Sequence, residues 1–401
     1  MTMPEFDFVP EKLDRLRDQL SGPNTVGETP AFWRTFLVAV AVFASLPFLL
    51  GSYGANQFAL FMAYGLLALS LTIVWGYAGI LSFGQIAFLG IAGYTYALVS
   101  LNVGGALGAT VAIPAAVLAA TVSAFVLGYF MFYGDVRDVY VAIMTLVVTL
   151  VIGTFLGRTA GDGWTIGSVP LGGANGIPGL PDLTIGIGDV AVVFSGTMYY
   201  WITLVVVLGT YLGLRVLVNG RLGYALVAIR EDEDRAEMLG YDVRRLKLLV
   251  FTFSGTLAGV AGVFYVTYFN IVNPEPFTLL WATYPVLWVT FGGRETLTGA
   301  LVGAISIEWI RLTLSRTVPE FAIVFVGAIL LVSVLLVPRG VVPGIRDSYA
   351  FFERRGLRDG VVVGGRRIAA GLRRRLRAVG ARVRGTLPDA IESQSPEVSR
   401  E

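Results

Sequence analysis

Twenty-nine residues from Asn219 to Lys247 (NGRLGYALVAIREDEDRAEMLGYDVRRLK) are dense in charge, yet apolar runs flank them on both sides, Tyr200–Gly209 before and Leu248–Leu257 after. Charge enters hydrocarbon only at high cost, and a backbone in lipid must satisfy its own hydrogen bonds. The stretch is therefore expected to be an aqueous loop joining two membrane spans. It carries Arg221, Arg230, Arg235, Arg244, Arg245 and Lys247, so the positive-inside rule places it in the cytoplasm. A structured cytoplasmic loop of this size is a docking surface for something that drives the membrane part.

Composition agrees with a chain built for lipid. Of 401 residues, 55% are apolar and only 14% are charged, against roughly 25% charged in soluble domains. There is no Cys and no His, which removes disulfides, thiolate chemistry, His–metal sites and His acid/base catalysis. No catalytic residue and no metal site is expected. A P-loop needs Gly-Lys followed by Ser or Thr. The two lysines, Lys12 and Lys247, follow Glu11 and Leu246, so the chain holds no such motif and is expected to be no ATPase itself. Any ATP would be bound by partner subunits, and no cofactor is expected on this chain.

About 20 apolar residues span a bilayer. On that rule ten candidate spans run approximately 32–51, 57–75, 81–101, 108–132, 138–157, 198–218, 247–268, 279–292, 297–315 and 320–337. The third is rich in Gly and starts with polar residues, which makes it a candidate for a broken or re-entrant segment. The eighth is short and contains Pro285. The fold expected is all-α: a polytopic helix bundle of about ten transmembrane helices in a prokaryotic plasma membrane. Linkers 52–56 and 102–107 hold no basic residue, whereas Arg137, the 219–247 cluster, Arg294 and the C-terminal tail are basic. That asymmetry predicts both termini inside.

The domain reading is a cytoplasmic N-terminal segment (1–31), a transmembrane domain (32–338) and an Arg-rich cytoplasmic tail (339–401). The N-terminal segment mixes acids with Lys12, Arg15 and Arg17, unlike a cleaved signal. Leu13, Leu16 and Leu20 allow a short amphipathic helix there, with a solvated tail as the alternative. In the C-terminal tail eleven Arg fall between Arg354 and Arg384, interleaved with Ile368, Leu372, Leu376 and Val379. That pattern suits anionic lipid at the inner leaflet rather than nucleic acid. The loop 158–197 is Gly- and Pro-rich, so turn chemistry should dominate it, and it is long enough to meet an external partner or simply to cover the surface.

Within 219–247, Asp232 to Gly240 reads as a short helix with an Asp cap and a Gly stop. Ala236 and Leu239 fall on one side, Glu233 and Glu237 on another. Such a helix suits insertion into a partner's groove; a solvated connector is the plainer reading. A second stretch, residues 76–94, spaces Gly76, Gly79, Gly84, Gly90 and Gly93 among Ser82, Gln85 and Tyr94. Irregular backbone at membrane depth is tolerated only in protein or along a cavity. These polar groups are candidates for a translocation path, with close packing of small residues as the alternative. Gly255-xxx-Gly259 and Gly299-xxx-Gly303 read as helix-packing faces. Glu308 and Arg311, three residues apart inside an apolar run, are an expected charge pair, functional or structural.

Together these residues resemble the LivH/LivM family, the permease subunits of branched-chain amino acid ABC importers, and the LivM-like branch most. The resemblance covers about 57–345. It is carried by Gly76-Tyr77-Ala78-Gly79 with Leu81-Ser82, Gly84, Ala87-Phe88, Gly90-Ile91 and Tyr94; by Gly172-Gly173 and Asn175-Gly176; by Arg230-Glu231, Ala236-Glu237 and Gly240; and by Pro274, Gly292-Gly293, Gly299, Gly303-Ala304, Pro338, Gly340 and Gly344. After Gly292-Gly293 this chain reads Arg294-Glu295, and in the fifth span it reads Thr149-Leu150 where relatives often carry an acid.

The resemblance implies an importer part with a second, LivH-like permease subunit, two cytoplasmic ATPase subunits and an external substrate-binding protein. Glu233, Arg235, Ala236, Glu237 and Gly240 would couple to the ATPase; Ser82, Gln85, Tyr94 and Asn175 would line the substrate path. Branched-chain or other neutral amino acids are the expected cargo, with urea or short amides the alternative within the family. A second class, an ion-coupled secondary transporter centred on Glu308 and Arg311, is the competing expectation.

Overall fold

The structure is a computed structural model that describes residues 19–25, 30–161, 163–321, 324, 327–329, 331 and 340–345. Leu13 and Leu16, most of the expected span 320–337 and the Arg-rich tail beyond residue 345 lie outside the described residues.

The first helical element, α1 (Pro30–Leu71), is 42 residues long, and only Gly51 inside it leaves helical geometry, at φ 66° and ψ −177°. Run straight, α1 would measure about 63 Å, twice a ~30 Å hydrocarbon core. Instead the Phe43 and Phe58 rings lie 6.5 Å apart, and Phe36 and Met62 line one cavity. The chain therefore reverses at Gly51 and α1 is two antiparallel spans. A positive φ with this ψ is accessible essentially to Gly alone, which is why the reversal needs no polar linker.

A π-helical turn, Thr72–Tyr77, ends the second span. After it Ala78–Gly84 is not helical, and α2 (Gln85–Val103) begins. The chain continues through α3 (Gly105–Tyr133) and α4 (Asp138–Gly157). Next come five short strands, β1 (Thr165–Ile166), β2 (Val169–Pro170), β3 (Ile177–Pro178), β4 (Leu183–Ile185) and β5 (Val192–Phe194). Helices α5 (Thr197–Val218), α6 (Arg221–Glu231), α7 (Glu233–Met238) and α8 (Val243–Phe269) follow, then β6 (Ile271–Val272), α9 (Leu279–Gly292) and α10 (Leu297–Thr317). Among the described residues seven helical runs are long and apolar enough to cross a membrane, and α9 is a shorter apolar helix. The chain is thus a helical, multi-pass membrane protein.

The helical, polytopic expectation holds, and the loop between α4 and α5 adds short strands to it. The 158–197 loop is not turns alone: β1 pairs with β2, β4 with β5, and β3 reaches across to pair with β6 after α8. Two- and three-residue strands satisfy loop backbone without any periodicity to read.

Helix α8 is the hub, packing against α1, α2 and α3. Along α3, Ala112, Ala116, Ala120 and Ala124 recur every fourth residue and all are buried. They meet the Gly255–Gly259 face: a Cβ on Gly255 would run into that of Ala124, and one on Gly259 would stand 2.6 Å from that of Ala120. Gly262 lies against the Leu89 main chain of α2. Without a hydrophobic force between helices in lipid, such backbone proximity is what holds them. Gly299 and Gly303 serve α10 the same way, against Gly292 and the Trp288 main chain of α9. Leu118, Val122, Phe130, Val139 and Val151 stay exposed, as apolar residues facing lipid or a partner do.

Candidate functional site

At one end of the bundle the charged stretch forms α6, α7 and the start of α8. Asp232 caps α7, its Oδ1 accepting from the Arg235 N–H at 3.0 Å, and Gly240 ends the turn at φ 89°. Both features match the sequence expectation. Ala236 is buried against Ile229, Val243 and Leu246. Leu239 does not share that face: it is 72% exposed, and Met238 is 87% exposed. The helix ends at Met238, so the three-residue spacing that predicted a common side no longer holds beyond it. Glu233 anchors α7, its Oε2 accepting from the Lys247 Nζ at 2.5 Å. Among the described residues Arg235 pairs with Asp232 at the surface, and Glu237 lines a charged cavity with Arg137, Arg244 and Lys247.

This end is tied to the membrane spans. Arg230 Nη1 donates to the Gly76 oxygen in the π-turn at 2.6 Å. Gly76 itself lies under the Arg294 carbonyl, with no room for a Cβ, and Gly79 sits at φ 80° beside the Arg230 side chain. The Arg294 guanidinium is 5.9 Å from the Trp75 ring centroid. The α6, α9–α10 and α1 ends thus converge on residues 75–79.

Residues 19–25 dock here too. Arg215, fully buried, donates from Nε to the Leu20 oxygen at 2.8 Å and from Nη1 to the Tyr211 hydroxyl at 3.1 Å, with its guanidinium 4.4 Å from the Phe32 ring centroid. Asn219 donates to the Gln19 oxygen at 2.7 Å and accepts from the Asn24 N–H at 3.0 Å. Tyr77 donates to the Asn24 oxygen at 2.9 Å. Sequence reading missed Arg215. The signal was an arginine in the last turn of an apolar run, one turn after Tyr211.

The broken segment before α2 is fully employed. Phe83 N–H donates to Thr145 Oγ1 at 3.1 Å, and Thr149 Oγ1 donates to the Phe83 oxygen at 3.3 Å. Ser82 Oγ accepts from Gly84 N–H. Gln85 donates to Ser254 Oγ at 3.1 Å, and Ser254 donates to the Ser70 oxygen at 2.6 Å. Gln85 Oε1 and the Tyr94 hydroxyl are buried without a partner among the described residues. Ser82 and Gln85 stand together, while Tyr94 lies about 13 Å further along α2, its ring near Phe277. Asn175 is exposed in a 3-10 turn of the 158–197 loop. The four expected path residues therefore do not form one constellation.

Glu308 and Arg311 do pair, Oε2 receiving Arg311 Nη2 at 2.7 Å and Nε at 2.8 Å. Trp288 Nε1 donates to Glu308 Oε1 at 3.1 Å. Glu308 is 1% exposed, whereas Arg311 reaches a cavity of about 360 Å³ near the other end of the bundle.

Residues 54–334 match the model of a family described as "Branched-chain amino acid transport system / permease component". The chain is 29% identical over 336 residues to the "High-affinity branched-chain amino acid transport system permease protein LivM" of Escherichia coli (strain K12), covering 79% of this chain and 76% of that protein. It is 25% identical over 287 residues to the "Probable branched-chain amino acid transport permease protein LivM" of Methanocaldococcus jannaschii, covering 63% of this chain and 79% of that one. No solved structure matches the chain at a significant level. A match over most of the chain, on a bundle with this broken second-to-third span and this capped charged helix, makes it a multi-pass plasma-membrane protein of the branched-chain amino acid transport system permease component family.

Proposed function

We propose that the chain is the membrane subunit of an ATP-driven importer that moves branched-chain or other neutral amino acids inward. It works with a second permease subunit, two cytoplasmic ATPase subunits and an external binding protein. Ten spans with both termini inside fit the distribution of Arg between linkers. The names of the relatives support the cargo.

The observation that carries this reading is α7. Its end presents Met238 and the following Leu239 to solvent, its base is held by Lys247, and the preceding α6 is tied by Arg230 to the Gly76 oxygen. An apolar tip on a rigid, charge-flanked helix is the form of a helix-in-groove ligand. Closing the groove would push on Gly76 through Arg230 and rock the spans as rigid bodies. Glu233, Arg235, Ala236, Glu237 and Gly240 cap, anchor and orient the helix; no residue of the chain performs chemistry on ATP.

Co-purification with the ATPase subunits, and leucine uptake into vesicles loaded with ATP, test the reading. Glu237→Lys should reduce complex formation or ATP-driven uptake. Uptake that follows an ion gradient and ignores ATP overturns it.

A further inference from the structure

A cavity of about 360 Å³ opens beside the ion pair, between the second span, the end of α8, β6, α9 and α10. Its size falls in the ~300–1,000 Å³ range of small-molecule sites. On the inward-termini topology proposed above, it faces outward. Arg311 lies six residues inside the end of α10 at Thr317, about 9 Å down the helix.

Its walls combine three kinds of group. Tyr64, Tyr265 and Trp281 form a box, each ring centroid 6.2 Å from the other two. Arg311 enters from α10, its Nε and Nη2 held by Glu308, while no bond of its Nη1 is recorded among the described residues. Asn273 and the exposed Glu275 enter from the segment after β6. The second bond to Glu308, from Trp288, fixes the carboxylate that fixes the guanidinium. A buried ion pair is weak support for stability; what this one does is hold two nitrogens of Arg311 on Glu308 and leave a guanidinium edge toward the cavity.

The charges select the ligand class. Glu308 offsets much of the Arg311 charge, and Glu275 stands in the same cavity, so a simple anion or a simple cation finds only one partner there. A molecule carrying both charges is served twice. Its carboxylate meets Arg311 in charge-assisted hydrogen bonds. Its ammonium meets Glu275 and the faces of Trp281 and Tyr265, as cations meet aromatic rings. An apolar side chain is left against Leu60, Phe61 and Leu312. We infer that this cavity is an outward-facing binding station for a single zwitterionic α-amino acid with an apolar side chain. The inference rests on the importer reading and adds to it where on this subunit the cargo is first held.

The absence of Cys from the chain supplies the test. Single cysteines are placed in the cavity wall (Gln57→Cys, and separately Asn273→Cys) and on the remote loop (Val190→Cys, a residue 84% exposed). Each variant is assembled in the intact complex, and labelling of this chain by a small water-soluble thiol reagent is followed by mass spectrometry. ATP-driven leucine uptake by the same vesicles is measured in parallel. At about five times its half-protecting concentration, leucine should slow labelling of both cavity cysteines about sixfold, as the unoccupied fraction falls. The rate at position 190 should not change. Leucinamide, lacking the carboxylate, and N-acetylleucine, lacking the ammonium, should not protect. Glu275→Gln added to Gln57→Cys should remove protection by leucine.

Cavity cysteines that leucine leaves unprotected in vesicles that import it overturn the station and spare the importer reading. Cysteines that never react, or equal protection by leucinamide, overturn the station as well. Vesicles that protect but do not import with ATP spare the cavity and overturn the importer.

Discussion

Arg230 and Gly76, 154 positions apart in sequence, meet across 2.6 Å, guanidinium to main-chain oxygen. Gly76 lies in the last turn of its helix, where main-chain oxygens lack an intrahelical donor, and the arginine of the charged stretch supplies one. The bond joins the part that faces a partner to the part that faces the membrane interior.

Removing it should uncouple them. A hydrogen bond to a charged group contributes about 1.5–3 kcal/mol, the scale of typical coupling free energies between sites. Arg230→Met is expected to lower leucine imported per ATP hydrolysed by about an order of magnitude, with complex assembly unchanged. Arg230→Lys should recover part of it, because an ammonium also donates to a carbonyl. An Arg230→Met complex with wild-type stoichiometry would show the bond to be incidental.

The Met238 and Leu239 side chains contribute little to the fold of this chain, since both lie mostly in solvent. Replacing both with Asp should leave the melting temperature of the purified subunit unchanged. It should also weaken retention of the ATPase subunits in a pull-down by at least about 30-fold, the cost of one ~2 kcal/mol hot spot. Equal retention would remove α7 from the interface.

Gly255 has no space for a side chain because Ala124 fills it. Gly255→Leu should destabilise the bundle by about 1–3 kcal/mol, as over-packing does. A second change, Ala124→Gly, should restore part of the loss, and thermal unfolding in detergent reads both. Additive losses would mean the two helices do not touch there.

Arg215 holds residues 19–25 in place through the Leu20 oxygen, and Asn219 holds Gln19 and Asn24. Arg215→Leu keeps the apolar stem and removes the donors, so it should cost about 1–3 kcal/mol for the carbonyl left without them. Limited proteolysis should then cut within 19–25 faster than in the wild type. Unchanged cleavage would assign the clasp to Asn219 and Tyr77.

The spans were legible because length and hydropathy are set by the bilayer itself, and the charged stretch because it violates both. The break before α2 was legible from Gly76, Gly79 and Gly84 with Ser82. Its partners were not, for Thr145 and Thr149 look neutral in an apolar run and matter only once Phe83 is brought against them. The Gly51 reversal was half legible: a boundary falls there, but nothing in the sequence says that one residue makes the whole turn. The exposure of Leu239 escaped because a six-residue helix ends before its periodicity can be trusted. The Glu308–Arg311 pair was expected from spacing. The aromatic box beside it joins Tyr64, Tyr265 and Trp281 from three separate segments, which no local pattern can announce.

Thr145 and Thr149 serve the amide and the carbonyl of Phe83 from successive turns of α4. A peptide pinned from both sides cannot shift against the helix that pins it. When the bundle rocks, the unwound mouth of α2 must therefore travel with α4 as one lever, and the sliding surface has to open elsewhere, along contacts that carry no such bolt.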